Sequence, residues 1–153
     1  MNRAAWTEFA VHREVPEAKP RKRRSNVEHY EQVAVVGWAN SMSGSIPELR
    51  LLFAIPNAGG YSGGFKSNVG RAKKLISEGV KSGVPDLFLP VACGNYHGMF
   101  IEMKATNGRI DPVQHEWAKA LQQQGFYTCF CFGACEAIER IQQYILQQPT
   151  PER

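Results

Sequence analysis

The sequence predicts a single mixed α/β domain: one four-stranded sheet flanked by helices. Two observations carry this. Short apolar runs alternate with stretches of helical period in the order helix, strand, helix, strand, strand, helix, strand, helix. The two central runs follow each other with only a glycine-containing segment between them, which makes them an antiparallel hairpin. A chain of 153 residues, 43% of them hydrophobic, is also long enough to bury one core.

Residues 1–24 hold Pro16, Pro20 and the run Lys19-Pro20-Arg21-Lys22-Arg23-Arg24, without helical or strand period, and are expected to be a disordered basic tail. Ser25-Asn26-Val27-Glu28 is a capping-box sequence. Val27, Tyr30, Ala34, Val35 and Trp38 then recur at helical spacing, which predicts a helix to about Asn40. Leu51 to Ile55 is a continuous apolar run stopped by Pro56, the pattern of a buried strand, and Asn57 to Gly64 reads as a glycine-rich loop. A basic helix is expected over roughly Val69 to Glu78, with Lys73 and Lys74 exposed.

Leu87–Val91 and Met99–Lys104 are the hairpin runs, joined through Gly94, Asn95 and Gly98. Asp111 followed by Pro112 is a helix start, and that helix should end before Gly125. Tyr127–Phe132 is a further strand, and Ala134 to about Gln147 a closing helix with Ala137, Ile138, Ile141 and Ile145 inward. The ordered domain is therefore expected over residues 25–148, with 149–153 a frayed tail.

Charge and cysteine usage narrow the function. Within residues 1–24 seven basic groups face three acidic ones, which accounts for the whole formal +4, so the rest of the chain is formally neutral. A basic tail suits a polyanion, though a plain solvated leader has the same composition. No apolar run approaches the roughly 18–20 residues of a membrane span, and Met1 to Val15 lacks the apolar core of a secretory signal. Cys93, Cys129, Cys131 and Cys135 form no Cys-x-x-Cys pair, so free thiols in a reducing cytoplasm are the expectation rather than a zinc site. The loop Gly59 to Ser67 resembles a phosphate-binding loop, but Phe65 separates its last glycine from Lys66 and breaks the register, which excludes a nucleotide cofactor. Asn57, Lys66, Arg71, Lys73 and Lys74 are instead candidates to grip DNA phosphates.

The chemistry concentrates in Val84-Pro85-Asp86 and Ile101-Glu102-Met103-Lys104. Side chains alternate along a strand, so Glu102 and Lys104 share a face about 6–7 Å apart. Asp86 begins the preceding strand, and antiparallel pairing brings it beside the end of its partner. Two carboxylates and an amine then meet at one end of the hairpin. Converging carboxylates repel, and hard oxygen donors favour Mg2+, with Mn2+ as a substitute. A lysine there suits orientation of an attacking water or stabilisation of charge on phosphorus. The plainer alternative is a surface ion pair beside a turn aspartate.

Around these residues the chain resembles the virus-type replication-repair nuclease (VRR-NUC) family of PD-(D/E)xK phosphodiesterases. The likeness runs from Glu28 to Tyr144 through Ile55-Pro56-Asn57-Ala58-Gly59-Gly60, Gly79 to Leu87, Tyr96 to Lys104, and Gln114-His115-Glu116-Trp117. It implies a restriction-endonuclease-like core, a metal held by Asp86, Glu102 and the Met103 carbonyl, and Lys104 as base or stabiliser. It also implies an acidic approach to the metal from the first helix, by Glu31 or by Glu28, and leaves Gln114 able to position the lysine or a phosphate. His97 is expected to be structural. The activity implied is structure-selective cutting of branched DNA, such as four-way junctions or flaps, by a homodimer. The location expected is the cytoplasm of a bacterium, nucleoid-associated, in a bacterial or phage-encoded protein. The rival readings are a non-catalytic DNA-binding module on this scaffold and a sequence-specific restriction-type endonuclease.

Overall fold

The computed structural model describes residues 25–56 and 68–147. The basic tail, the glycine loop with Asn57 and Lys66, the side chains of Ser25 and Arg71, and residues 149–153 lie outside the described residues.

Helix α1 (Ser25–Met42) leads through a 3-10 turn (Pro47–Leu51) into strand β1 (Phe53–Ala54). Helix α2 (Asn68–Ser77) is followed by the hairpin strands β2 (Leu87–Leu89) and β3 (Met99–Lys104). Helix α3 (Pro112–Gln123) crosses over to β4 (Tyr127–Phe132), and α4 (Ala134–Ile145) closes the domain. The sheet runs β1-β2-β3-β4. β1/β2 and β2/β3 are antiparallel, whereas β3/β4 is parallel, as the helical crossover through α3 requires.

The two faces of the sheet differ. Leu87, Leu89, Met99, Ile101, Met103 and Cys131 point to the face packed by Val35 and Ala39 of α1 and Ala137, Ile141 and Tyr144 of α4, and all are essentially inaccessible. The Tyr144 hydroxyl donates to the Val91 carbonyl at 2.6 Å, which satisfies both groups at the edge of this core. The other face carries Phe88, Phe100, Glu102, Lys104, Thr128 and Phe130, and α3 lies over its β4 side, where Gln122 donates to Thr128 at 2.7 Å. Trp117 of α3 donates to the Ser82 carbonyl at 3.1 Å. Gly83, at φ +84°, lets the loop lie so close that a Cβ would stand 2.6 Å from Val113 Cγ1. That contact aims Val84-Pro85-Asp86 into β2.

Three expectations change. The apolar run at 51–55 is not a buried strand: only Phe53 and Ala54 pair with β2, both are exposed, and Leu51 belongs to the preceding turn. β1 is an edge strand, and the residue this segment buries is Leu49, at the turn that Pro47 starts. β2 stops at Leu89, because Pro90 has no N–H to continue the ladder. In α1, Val27, Tyr30 and Ala34 face out. The inward stripe is Glu28, Glu31, Val35, Ala39 and Met42, so its first turns present carboxylates rather than apolar groups to the end of the sheet.

Candidate active site

Register assembles the site. Leu87 pairs with Ile101, so the next residues outward, Asp86 and Glu102, lie opposite each other on the α3 face. The Ile55 N–H donates to the Asp86 carbonyl at 2.8 Å, which fixes the Asp86 backbone from the β1 side. The Asp86 side chain accepts the Met103 N–H at 2.9 Å. Lys104 Nζ donates to Glu102 Oε1 at 2.6 Å, and Glu102 and Lys104 are only 3% and 4% exposed. This is not a surface ion pair.

Gln114 adds a third contact. Asp111 caps α3 by accepting the Val113 N–H at 2.9 Å, and Gln114 Oε1 completes the capping box by accepting the Asp111 N–H at 3.0 Å. Its amide Nε2 donates to Glu102 Oε1. One side chain thus ties the helix start to the buried carboxylate.

Glu102 Oε2 is buried with no hydrogen-bond partner. The Glu102 carboxyl is pushed up from an ordinary 4.5 to about 7, first by burial, then by the Asp86 charge and more weakly by Glu28, against the lowering effect of Lys104. Two like charges and an orphaned oxygen in one corner favour whatever cation can enter. Among the described residues no three His, Cys, Asp or Glu side chains gather as a metal-binding group, so the corner is two carboxylates and an amine.

The helix-1 glutamates divide their tasks. Glu28 lies close enough to act on Glu102, and its Oε1 accepts the Ala105 N–H at 3.4 Å, just past Lys104. Glu31 turns to the start of α4, where Oε2 accepts the Ala134 N–H at 2.7 Å. Of the two alternatives, the geometry sets Glu28 beside the carboxylates and engages Glu31 at a helix N-terminus. The signal that separates them in the sequence is the stripe 28-31-35-39-42: both glutamates lie on it, and Glu28 is the one a turn nearer the amino end. Gly133 N–H donates to the Lys104 carbonyl at 2.9 Å, so the Glu31-held junction also fixes the end of β3.

The remaining candidates among the described residues, Lys73 and Lys74, are not drawn into this corner. Lys73 and Lys74 are exposed on α2, and Lys74 lies 3.7 Å from Glu78. His97 lies at the other end of β3: a Cβ on Gly125 would stand 2.8 Å from its ring, which meets Phe126 at 5.9 Å. The four cysteines are free, with Cys129 and Cys131 Sγ 3.5 Å apart on β4.

The site is thus two acidic side chains and a lysine at one end of the central hairpin of a mixed sheet. Residues 66–134, from just before α2 to the start of α4, match the VRR-NUC domain, a nuclease-type family. The chain is also similar to a solved structure titled "VRR_NUC domain protein", with 26% identity over 83% of this chain and 94% of that one and a TM-score of 0.63. No curated protein matches. Among the described residues no helix is long and apolar enough to cross a membrane.

Proposed function

We propose that this protein is a metal-dependent deoxyribonuclease that hydrolyses phosphodiester bonds in branched DNA, acting as a homodimer. The observation that carries the reading is the unpartnered, buried Glu102 Oε2 beside Asp86 and Lys104. Such a group is costly unless a ligand completes it.

The donor set fits a hard divalent cation. Asp86, Glu102 and the Met103 carbonyl would hold Mg2+, or Mn2+ in its place, with Glu28 approaching from α1. When bound, the cation supplies Lewis-acid polarisation of the phosphate and neutralises the carboxylates. The chain's own groups do the rest. Met103 N–H fixes the rotamer of Asp86. Gln114 and Lys104 converge on Glu102 Oε1 and leave the buried Oε2 without a protein partner. Lys104 orients the attacking water or stabilises the charge that develops on phosphorus. Lys73, Lys74 and Arg71 on α2, with Asn57 and Lys66 before it, contact the phosphate backbone and set position rather than sequence. A homodimer matches a substrate that needs two cuts, one per active site. The reading places the protein in the cytoplasm at the nucleoid.

The test is cleavage of labelled linear, flap, splayed and four-way DNA with Mg2+, by wild type and Lys104→Ala. Cutting of branched substrates by wild type alone supports the reading. Binding by both proteins with cutting by neither would replace it with a DNA-binding module. Cutting that follows base sequence on linear DNA would make it a restriction-type enzyme.

A further inference from the structure

We propose that Phe53, Phe88 and Phe100, a row of aromatic rings beside the carboxylates, form a stacking platform for an unpaired nucleobase next to the phosphate being cut. The inference rests on the nuclease reading above and names the part of the substrate that makes cutting branch-selective.

Register places the row. Phe53 is the Cα partner of Phe88, and Phe88 of Phe100, so the three side chains line up across β1, β2 and β3. Phe88 and Phe100 each stand two residues from Asp86 and Glu102 on their own strands, hence on the same face and about 6–7 Å away. The Phe88 and Phe100 rings stack at 4.2 Å and 20°. Phe53 meets Phe88 edge-on at 5.7 Å, and Phe126 closes the far side against Phe100 at 5.2 Å. Gly98 makes room, since a Cβ there would stand 2.9 Å from the Phe88 ring.

The row is not a second core. On the opposite face Leu87, Leu89, Met99, Ile101, Met103 and Cys131 are at most 1% exposed, whereas Phe53 is 49% exposed and Phe88, Phe100 and Phe126 are half-buried. Among the described residues α3 packs on the β4 side of this face, and no element is seen packed over Phe53 on the β1 side. A half-exposed phenylalanine on a two-residue edge strand invites association. What lies there must share the face with the substrate phosphate, because Phe88 and Phe100 adjoin Asp86 and Glu102 on the same strands. A base of the bound strand does so. Stacking accepts any base, but only one already out of the duplex can reach a protein ring. Flaps and splayed ends supply such bases already single-stranded, and a four-way branch point, where the stack is interrupted, lowers the cost of turning one out.

The experiment uses the full chain and a four-way junction carrying 2-aminopurine beside the cut position, with linear duplex as the comparison. Wild type should quench the 2-aminopurine on binding. Phe53→Ala and Phe53→Leu should each leave it bright and weaken junction binding by about 5- to 100-fold, with a much smaller change on duplex. Phe53→Trp should restore both signals. Leu keeps the apolar contact with Phe88 and guards against misfolding, so wild-type quenching by Phe53→Leu would overturn the platform. Equal losses on junction and duplex, or conversion of a dimer to a monomer by Phe53→Ala, would overturn it as well. If wild type cuts junctions while the 2-aminopurine stays bright, the platform alone fails. If wild type neither binds nor cuts any DNA, the nuclease reading falls and takes the platform with it.

Discussion

Asp86→Asn should separate stability from chemistry. The substitution keeps the shape of the side chain and an oxygen able to accept the Met103 N–H, now at 2.9 Å. It removes a negative charge facing Glu102. The Glu102 carboxyl sits at about 7 instead of 4.5. At about 1.36 kcal/mol per unit, that displacement caps the cost of holding it ionised in the metal-free protein at about 3 kcal/mol. Burial is the largest cause and Asp86 the second, so removing Asp86 recovers only part of that cost, on the order of 1 kcal/mol for a displacement of about one unit. For a domain of this size the metal-free variant should melt about 2–4 °C above wild type at pH 8. Because the folded value of Glu102 is raised, its favourable contribution is complete below 4.5 and lost as pH climbs through about 7. The advantage of the variant should therefore shrink toward pH 5. Mg2+ should reverse the order: at 100 times its Kd a ligand adds about 2.7 kcal/mol, roughly 5–10 °C, to wild type and little to Asp86→Asn. Thermal melts at both pH values, with and without Mg2+, decide it, alongside loss of cleavage in the variant. A metal-free variant less stable than wild type, or equal Mg2+ shifts in both, would refute the reasoning.

Gln114→Glu keeps an acceptor for the Asp111 N–H but sets a carboxylate against Glu102, whereas Gln114→Ala loses both contacts. Melting of Gln114→Ala should reveal a capping loss of about 0.5–2 kcal/mol, while both variants lose cleavage by at least tenfold. Glu31→Ala should cost about 1 kcal/mol at the start of α4 and leave cleavage within a few-fold, whereas Glu28→Ala should do the reverse; melts and cleavage rates of the pair would expose an exchange of roles. Tyr144→Phe should cost about 1–3 kcal/mol in denaturant titration by orphaning the Val91 carbonyl, with cleavage at wild-type level.

What the sequence made legible follows from where local signals and packing agree. β3 and β4 have the bounds that their apolar runs predict, and α3 begins where Asp111-Pro112 says it should, because strand period and cap chemistry are short-range and the core merely accepts them. Asp86, Glu102 and Lys104 meet because the period of a strand and the sense of a hairpin suffice to place them. The readings that changed depended on neighbours. An apolar run cannot tell an edge strand from a central one, and Leu51 to Ile55 has one strand beside it, not two. Counting apolar residues along α1 passed over its inward stripe, since the positions facing the sheet end are Glu28 and Glu31. A helix face that is acidic where it should be apolar is itself a functional signal, because burying carboxylates is favourable only if amides or a cation receive them. Here Glu31 receives an amide, and the Glu102 corner that Glu28 adjoins keeps an oxygen without one. The same comparison of what a side chain needs with what surrounds it singles out Phe53, apolar where the edge of a sheet should be polar. In this domain the residues that break the local pattern border the candidate site, and those that obey it build the support beneath.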